Sequence, residues 1–344
     1  MIKIKEIDSK DFSRWDYFVE SREEASFHHR IRWKMFIEKM YGNRLHPIYL
    51  MAYNSDIEAV LPLFIYKHRL FGKKLISIPF STNGGCVSQT NDIEIQMIQQ
   101  AIELTRKHNL DYLELRNQKV CPMDNLVTDD SYFTLCLPLE NTFDVLQKKL
   151  RSTTKRYIRR AQENDLDINL FSEDLNGFYR LYALGSRDLG TPSLGFQYIK
   201  TLFTFFREYH QIATVYHKDQ LIAAILLRTY RNTVSYVLGA SIPEFRCLYP
   251  NYLLFAAVLK YFSEKGFKNF DFGRSVQSSG TYFFKLGWGA APIQYHYQYY
   301  LHKIRKIPST SQDNSRRKQF TKIWRYLPFS VADWLGPKIR RNYP

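Results

Sequence analysis

The chain has 344 residues, 45% hydrophobic and 16% aromatic, with 49 Lys and Arg against 33 Asp and Glu, a formal net charge of +16. That balance excludes a disordered chain, and the length suffices for two domains, each with its own core. The charge implies an anionic partner: nucleic acid, phospholipid headgroups or a polyphosphorylated substrate.

In chain order, the opening MIKIKEIDSKDF lacks the apolar stretch of a signal peptide. An extended segment HPIYLMAY (46–53), a polar turn Asn54-Ser55-Asp56 and a longer strand IEAVLPLFIY (57–66) follow. After the strand LISIPF, Gly84-Gly85 permits a tight turn or a close ligand approach. Ile93, Met97, Ile98, Ala101 and Leu104 recur at 3–4 spacing and predict a helix over 92–108, before the short strand DYLELR (111–116).

Residues 141–165 read NTFDVLQKKLRSTTKRYIRRAQEND. Seven cations, Lys148, Lys149, Arg151, Lys155, Arg156, Arg159 and Arg160, fall within thirteen positions, with no carboxylate interleaved before Glu163. On one helix Leu150, Thr154, Tyr157, Ile158 and Ala161 share the buried side and the cations fan outward. The outer face then binds phosphate or is simply solvated.

The second half repeats the order of the first. IATVYH (212–217), a turn at Lys218-Asp219-Gln220, LIAAILLRTY (221–230) and VSYVLGA (234–240) precede an irregular SIPEFRCLY. A helix then opens at Pro250, runs through NYLLFAAVLKYFSEK and closes at Gly266, before the strand FKNFDFG. A meander feeding a helix and then a strand, twice over, predicts mixed sheets with helices packed on them.

The best apolar run, LLFAAVL at 253–259, stops at Lys260, short of the roughly 18–20 residues of a membrane span. Cys86, Cys121, Cys136 and Cys247 stand far apart without a CxxC pair. They suit a reducing cytoplasm better than a disulfide frame or zinc site, and no metal is expected.

Residues 271–289, DFGRSVQSSGTYFFKLGWG, open on a protein-kinase-like Asp-Phe-Gly, but no Gly-rich phosphate loop or His-Arg-Asp catalytic loop accompanies it. No GxSxG nucleophile elbow is present either, so direct transfer fits better than covalent serine catalysis. The tail, 303–344, carries eleven Lys and Arg against two Asp, with Trp324, Tyr326, Phe329 and Trp334. It reads as an interfacial helix or as a segment packed back onto the body.

FHHRIRW (27–33), LPLFIYKHRLFGKKLISIPFSTNGG (61–85), YLELR (112–116), LRSTTKRYIRRAQ (150–162), PEFRCLYPNYLL (243–254), FDFGRS (270–275) and GTYFFKLGWG (280–289) together resemble the FemAB-like transferases. They lie close to the branch associated with exosortase/PEP-CTERM exopolysaccharide systems. The resemblance implies an α/β (α+β) fold of tandem GNAT-like (N-acyltransferase) domains, mixed twisted sheets flanked by helices, with boundaries at 1–145 and 146–305 and a basic extension over 306–344. It implies a cytoplasmic protein that moves an acyl or aminoacyl group to an amine, and the basic aromatic tail adds the expectation of a peripheral place on the inner face of the membrane. The donor is aminoacyl-tRNA or an acyl-CoA or other acyl-thioester, and no tightly bound cofactor is expected. The acceptor is an amine on a phosphate-bearing glycan or lipid-linked cell-envelope or exopolysaccharide precursor.

The family's essential lysine, in an aromatic-Lys-x-Gly-aromatic setting, matches Lys285. A fixed ammonium there stabilises charge on the reacting carbonyl oxygen. Asp271 is the candidate proton acceptor, or an ion-pair partner of Arg274. Arg274, Ser275, Tyr282 and Phe284 are candidate substrate contacts. Arg246 and Asn251 flank the second-half helix, where N–H groups favour phosphate. Simple N-acetyltransferases place a glycine-rich pyrophosphate turn there, whereas Tyr249 and Pro250 stand in it here, against a coenzyme A donor. His29 and Trp33, at i and i+4 on an expected helix, frame the acceptor cleft or pack in the core. Lys155, Arg156, Arg159 and Arg160 are the phosphate-binding candidates. The rival readings are a non-catalytic GNAT-like protein that binds tRNA or other RNA, and a basic membrane-surface scaffold for glycan assembly.

Overall fold

A computed structural model describes residues 2–68, 72–275, 277–308 and 315–342. Residues 309–314 and 343–344 of the expected basic extension lie outside the described residues. The described residues divide into two compact units, one within 2–132 and 294–308, the other within 133–293 and 315–342.

The first unit contains β1 (Lys3–Glu6), α1 (Phe12–Ser21), α2 (Ile31–Tyr41), β2 (Leu45–Tyr53), β3 (Ile57–His68), β4 (Gly72–Ser77), β5 (Val87–Ser88), α3 (Asn91–Lys107) and β6 (Tyr112–Asn117). β1, β2, β3 and β4 form an antiparallel meander, and β6 joins β4 in parallel over Lys74–Ile76. A parallel pair needs a crossover, and α3 supplies it. Thr90 Oγ1 accepts from the Ile93 N–H to cap α3, and Arg106 and Lys107 sit in its last turn, where cations suit the dipole. Ile93, Met97, Ile98, Ala101 and Ile102 pack against Leu61, Leu63, Leu75, Leu113 and Leu115 of the sheet.

The rest of the chain runs through β7 (Val127–Pro138), α4 (Phe143–Lys149), α5 (Ser152–Gln162), β8 (Asp167–Ser172), α6 (Leu175–Asp188), α7 (Phe196–Phe205), β9 (His210–His217), β10 (Gln220–Tyr230), β11 (Thr233–Ser241), α8 (Pro250–Glu264), β12 (Asn269–Ser275), α9 (Gly280–Gly287), β13 (Ala291–Leu301), α10 (Ser315–Arg325) and α11 (Phe329–Arg340). β8, β9, β10 and β11 again form an antiparallel meander, and β12 joins β11 in parallel over three residue pairs, Thr233–Ser235 against Asn269–Asp271. The same strand order and directions therefore occur twice. α8 ends as the sequence predicts: Gly266 adopts φ +82°, its N–H bonds Ser263 O and that of Phe267 bonds Phe262 O, a Schellman close.

Three sequence expectations differ from the structure. Residues 294–308 cluster with the first unit, because β13 pairs antiparallel with β6, while residues 133–138 of β7 pair with β12 in the second. The helix expected to carry Leu150 together with Thr154, Tyr157, Ile158 and Ala161 starts only at Ser152, because Leu150 and Arg151 are extended (ψ 148° and 146°) between α4 and α5. His29 and Trp33 do not share a helix either. His29 ends a 3-10 turn, Phe27–His29, and Arg30 is extended before α2 begins at Ile31.

Among the described residues no helix is long and apolar enough to cross a membrane. The tail helices α10 and α11 pack on α6, with Trp324 and Ala332 buried.

Candidate active site

The site is built on β12 and α9. Phe270 and Phe272 turn toward α8 and pack on Phe255, with ring centroids 6.0 and 5.4 Å away. Alternation then points Asp271 to the opposite face of the sheet. The next residue, Gly273, takes φ +73°, a conformation in which a side chain would be strained, and the β7–β12 register shifts between Asp271 and Arg274. This bulge lies just beyond the last β11–β12 pair, Ser235–Asp271. It is the carboxyl end of a parallel strand pair, where open α/β sheets hold their ligands.

Ser279 Oγ accepts from the Tyr282 N–H and starts α9. Phe284 and Trp288 anchor the helix in the core against Tyr252 and Phe255. That packing holds Lys285 at 9% exposure, and its Nζ donates to the carbonyls of Gly273 (2.9 Å) and Arg274 (3.2 Å). Burial pulls the ammonium down to about 8 from an ordinary 10.5, and the nearby Asp271 carboxylate opposes the shift. Two of its three N–H groups are thus engaged, and the third has no protein acceptor among the described residues.

Asp271 Oδ1 accepts from Thr134 Oγ1 (2.6 Å) and from the Gly273 N–H (2.8 Å). Its Oδ2 makes no hydrogen bond among the described residues. Asp271 also belongs to a cross-sheet row, since the registers align His210, Arg228, Ser235, Asp271 and Cys136 on one face. Burial lowers Arg228 to about 10, and Asp271 and Tyr198 counter this. Burial lowers His210 to about 3, reinforced by Arg228, and raises Cys136 to about 11, reinforced by Asp271. Arg228, Thr134 and His210 were not anticipated. An arginine closing the apolar run LIAAILLR was the available signal, but only strand register brings it to Asp271.

The remaining candidates divide. Ser275 is buried, and its Oγ has no hydrogen-bond partner among the described residues, so the site holds an unsatisfied donor one residue beyond Arg274. Arg274 is exposed and Tyr282 half-buried. Phe284 packs into the core, so its position reflects packing before any substrate contact. Arg246 is exposed on the turn Pro243–Leu248, and Asn251 Nδ2 donates to Ser241 Oγ at 2.9 Å.

His29 and Trp33 are core residues of the first unit, 1% and 2% exposed. The Ser26 N–H donates to His29 Nδ1 (3.0 Å), which assigns the ring proton to Nε2, the donor to Gly85 O (3.0 Å). The histidine fastens the Gly84-Gly85 loop.

On α5, Arg156 and Arg159 are exposed and make no ion pair among the described residues. Lys155 Nζ donates to Lys148 O (2.8 Å), and Arg160 to Tyr249 Oη (3.3 Å). Arg156 also lies over the Tyr157 ring, 5.2 Å from its centroid.

Residues 148–286 match the family model for an acetyltransferase (GNAT) domain. This stretch, the larger part of the second unit, is a GNAT domain. No curated protein matches the sequence. Among solved structures the chain is similar to FemX, at 14% identity and a TM-score of 0.66, over 88% of this chain and 98% of that one. It is similar to the C-terminal domain of a putative lysylphosphatidylglycerol synthetase from Agrobacterium fabrum (11%, TM-score 0.56, 86% and 93%). A tandem GNAT protein from the clavulanic acid biosynthesis pathway shares the fold as well (10%, TM-score 0.55, 87% and 98%). These likenesses show the fold of tandem GNAT proteins, in agreement with the doubling read from the sequence and with its resemblance to the FemAB-like group.

A GNAT domain raises the question of coenzyme A. A pyrophosphate needs bare backbone N–H groups at a helix start. At the start of α8, Tyr249 sits in the left-handed region (φ 56°, ψ 39°) that glycine would occupy without strain. Its ring stacks on Tyr157 at 4.7 Å and 15°, and Pro250, the first helical residue, has no N–H. This turn does not fit a pyrophosphate.

Proposed function

We propose that the protein is a FemAB-like N-acyltransferase, cytoplasmic and peripheral to the inner face of the membrane. It transfers an acyl or aminoacyl group to an amine on a phosphate-bearing glycan or lipid-linked cell-envelope precursor. The observation that carries this reading is the buried Lys285 ammonium, tied to two β12 carbonyls beside Asp271 within a GNAT domain.

The acceptor nitrogen attacks the donor carbonyl carbon, and its N–C bond forms as the ester C–O or thioester C–S bond breaks. The oxyanion that develops is met by the free N–H of Lys285, an ammonium itself largely removed from solvent, where such a contact is worth most. Asp271 Oδ2 accepts from the attacking amine, while Thr134 and Gly273 hold Oδ1 and fix the carboxylate's orientation. The leaving oxygen or sulfur takes up the proton the amine loses. Arg274 and the Ser275 hydroxyl bind the acceptor beside this point.

The unpaired arginines of α5, with Lys155 and Arg160, hold donor or acceptor phosphates. The occupied turn at Tyr249 favours aminoacyl-tRNA over coenzyme A as donor. The lysylphosphatidylglycerol synthetase domain, which shares the fold, is consistent with a lipid acceptor.

The test is mass spectrometry of the purified protein incubated separately with charged tRNA and acyl-CoA, each with lipid-linked glycans. The expected result is an acceptor heavier by one acyl or aminoacyl group, from charged tRNA, with the protein's own mass unchanged. A stable acyl adduct on the protein, or binding of RNA without any transfer, would reject direct transfer.

A further inference from the structure

Within 315–344 the chain holds eight Lys and Arg and one acid, Asp333. The structure places that acid on the inner side of α11, where it accepts from the Tyr179 hydroxyl. The docked faces of both tail helices are closely fitted. A Cβ on Gly190 would stand 2.3 Å from Thr321 Cγ2, one on Gly195 2.9 Å from Pro337 Cγ, and one on Gly336 3.1 Å from the Ser193 nitrogen. Trp324 is 3% exposed at the same contact. The helices therefore cannot roll to bury their other sides.

Those other sides carry large apolar side chains among cations. On α10 and the turn after it, Ile323 is 66% and Tyr326 82% exposed, beside the exposed Lys322 and Arg325. On α11 the spacing of Val331, Trp334, Lys338 and Arg341 puts all four on one stripe, away from Ala332 and Gly336. Trp334 is 63% exposed, and Lys338 Nζ lies 3.3 Å from its ring centroid. Single exposed apolar residues are ordinary, but these recur on consecutive helices, each flanked by a cation and none by an exposed acid.

We propose that this outer face of α10 and α11 docks on an anionic lipid bilayer. The complementarity is chemical. Trp and Tyr are amphipathic rings suited to the headgroup level, and Ile323 and Val331 offer aliphatic surface to acyl chains. Lys322, Arg325, Lys338 and Arg341 meet lipid phosphates, each cation favouring a negatively charged surface. An RNA would use the cations but leave the aliphatic side chains without a partner. The inference deepens the peripheral-membrane part of the proposed function. Its test requires no turnover, so either can fail without the other.

The experiment is flotation of the full chain with vesicles of phosphatidylcholine, alone or with about one-third phosphatidylglycerol. Wild type is expected to float with the anionic vesicles and remain behind with the neutral ones. The double variant Ile323→Ser, Trp334→Ser is expected to partition about tenfold more weakly with an unchanged melting temperature, since both side chains face solvent. Lys322→Gln with Arg325→Gln should weaken it on the order of tenfold through charge alone. Equal flotation of wild type and the first double variant overturns the proposal. So does failure to float at all, or binding of a single-stranded RNA that the same variants abolish while vesicles are ignored.

Discussion

Lys285→Met is expected to lower the rate of group transfer by a factor on the order of 10²–10³, the usual cost of removing one preorganised donor from an oxyanion site. Methionine keeps the length and apolar stem of the side chain and removes only the charge and its hydrogen bonds. The loss should fall on kcat, because the contact to the carbonyl oxygen strengthens as negative charge develops there. Lys285→Arg is expected to rescue little. The Gly273 and Arg274 carbonyls converge on a single nitrogen at 2.9 and 3.2 Å, a geometry a planar guanidinium does not reproduce in a closed space.

Stability separates this role from a structural one. Lys285 is lowered to about 8 in the folded chain from an ordinary 10.5, so burying its charge costs stability wherever both forms are protonated. That cost is fully present below about 8 and disappears as pH rises to 10.5, because the folded chain sheds the proton first. Relative to Lys285→Met, wild type should gain about 3 kcal/mol across that window. Denaturant titrations of both proteins at pH 7 and above pH 10 measure the difference. A wild-type advantage that shrinks with rising pH would mean that the ammonium stabilises the fold.

The largest loss of stability is expected in the first unit. Glu114, 6% exposed, accepts from Arg116 Nε (3.0 Å) and Nη2 (2.9 Å) and from Lys74 Nζ (3.2 Å). Burial alone would raise its pKa, but the two cations outweigh burial and hold it below its ordinary 4.5. Arg116 Nη1 also donates to Ser81 O (2.6 Å) and Ile78 O (3.4 Å). It thereby holds a loop in which Ile78 (φ 37°) and Phe80 (φ 62°) are both left-handed. Such backbone persists only where its surroundings over-determine it. Glu114→Gln leaves the buried Arg116 and the half-buried Lys74 without a counter-charge, at a cost of about 3–5 kcal/mol. The expected fall in melting temperature is on the order of 10 °C. The carboxylate's contribution is present above pH 4.5 and is lost as pH falls through its lowered value, so the gap between wild type and variant should narrow in acid. Thermal unfolding followed by circular dichroism measures both effects, and a change of only a few degrees would show that the ion triad stabilises little.

The repeated order of elements was legible because each depends on local pattern: the 3–4 spacing over 92–108, Pro250 opening α8, Gly266 closing it. Lys285 was reached through the residues around it, and its burial follows from the aromatic neighbours that sequence already displays. What was not legible is set by contacts distant in sequence. Nothing local sends 133–138 to β12 or β13 to β6, because those pairings are decided by which sheet edge is open. The Arg228–Asp271 relation depends on strand register through Ser235, which turns over completely with a slip of one residue. The breaks at Arg30 and at Leu150-Arg151 were hidden because no glycine or proline marks them, and periodicity continues across an extended residue. Tyr249 was read as a substitution for glycine. Its left-handed backbone and stacking on Tyr157 explain physically how a tyrosine holds that turn.

The most direct measurement is the ratio of wild-type to Lys285→Met transfer rates as a function of pH, which cancels the acceptor amine's own titration. If the Lys285 ammonium carries the charge of the reaction, the ratio is constant below about 8 and falls about tenfold per pH unit above it. A ratio that stays flat through that range, or rises, would contradict a charged role for Lys285; a rise would make its neutral amine the base.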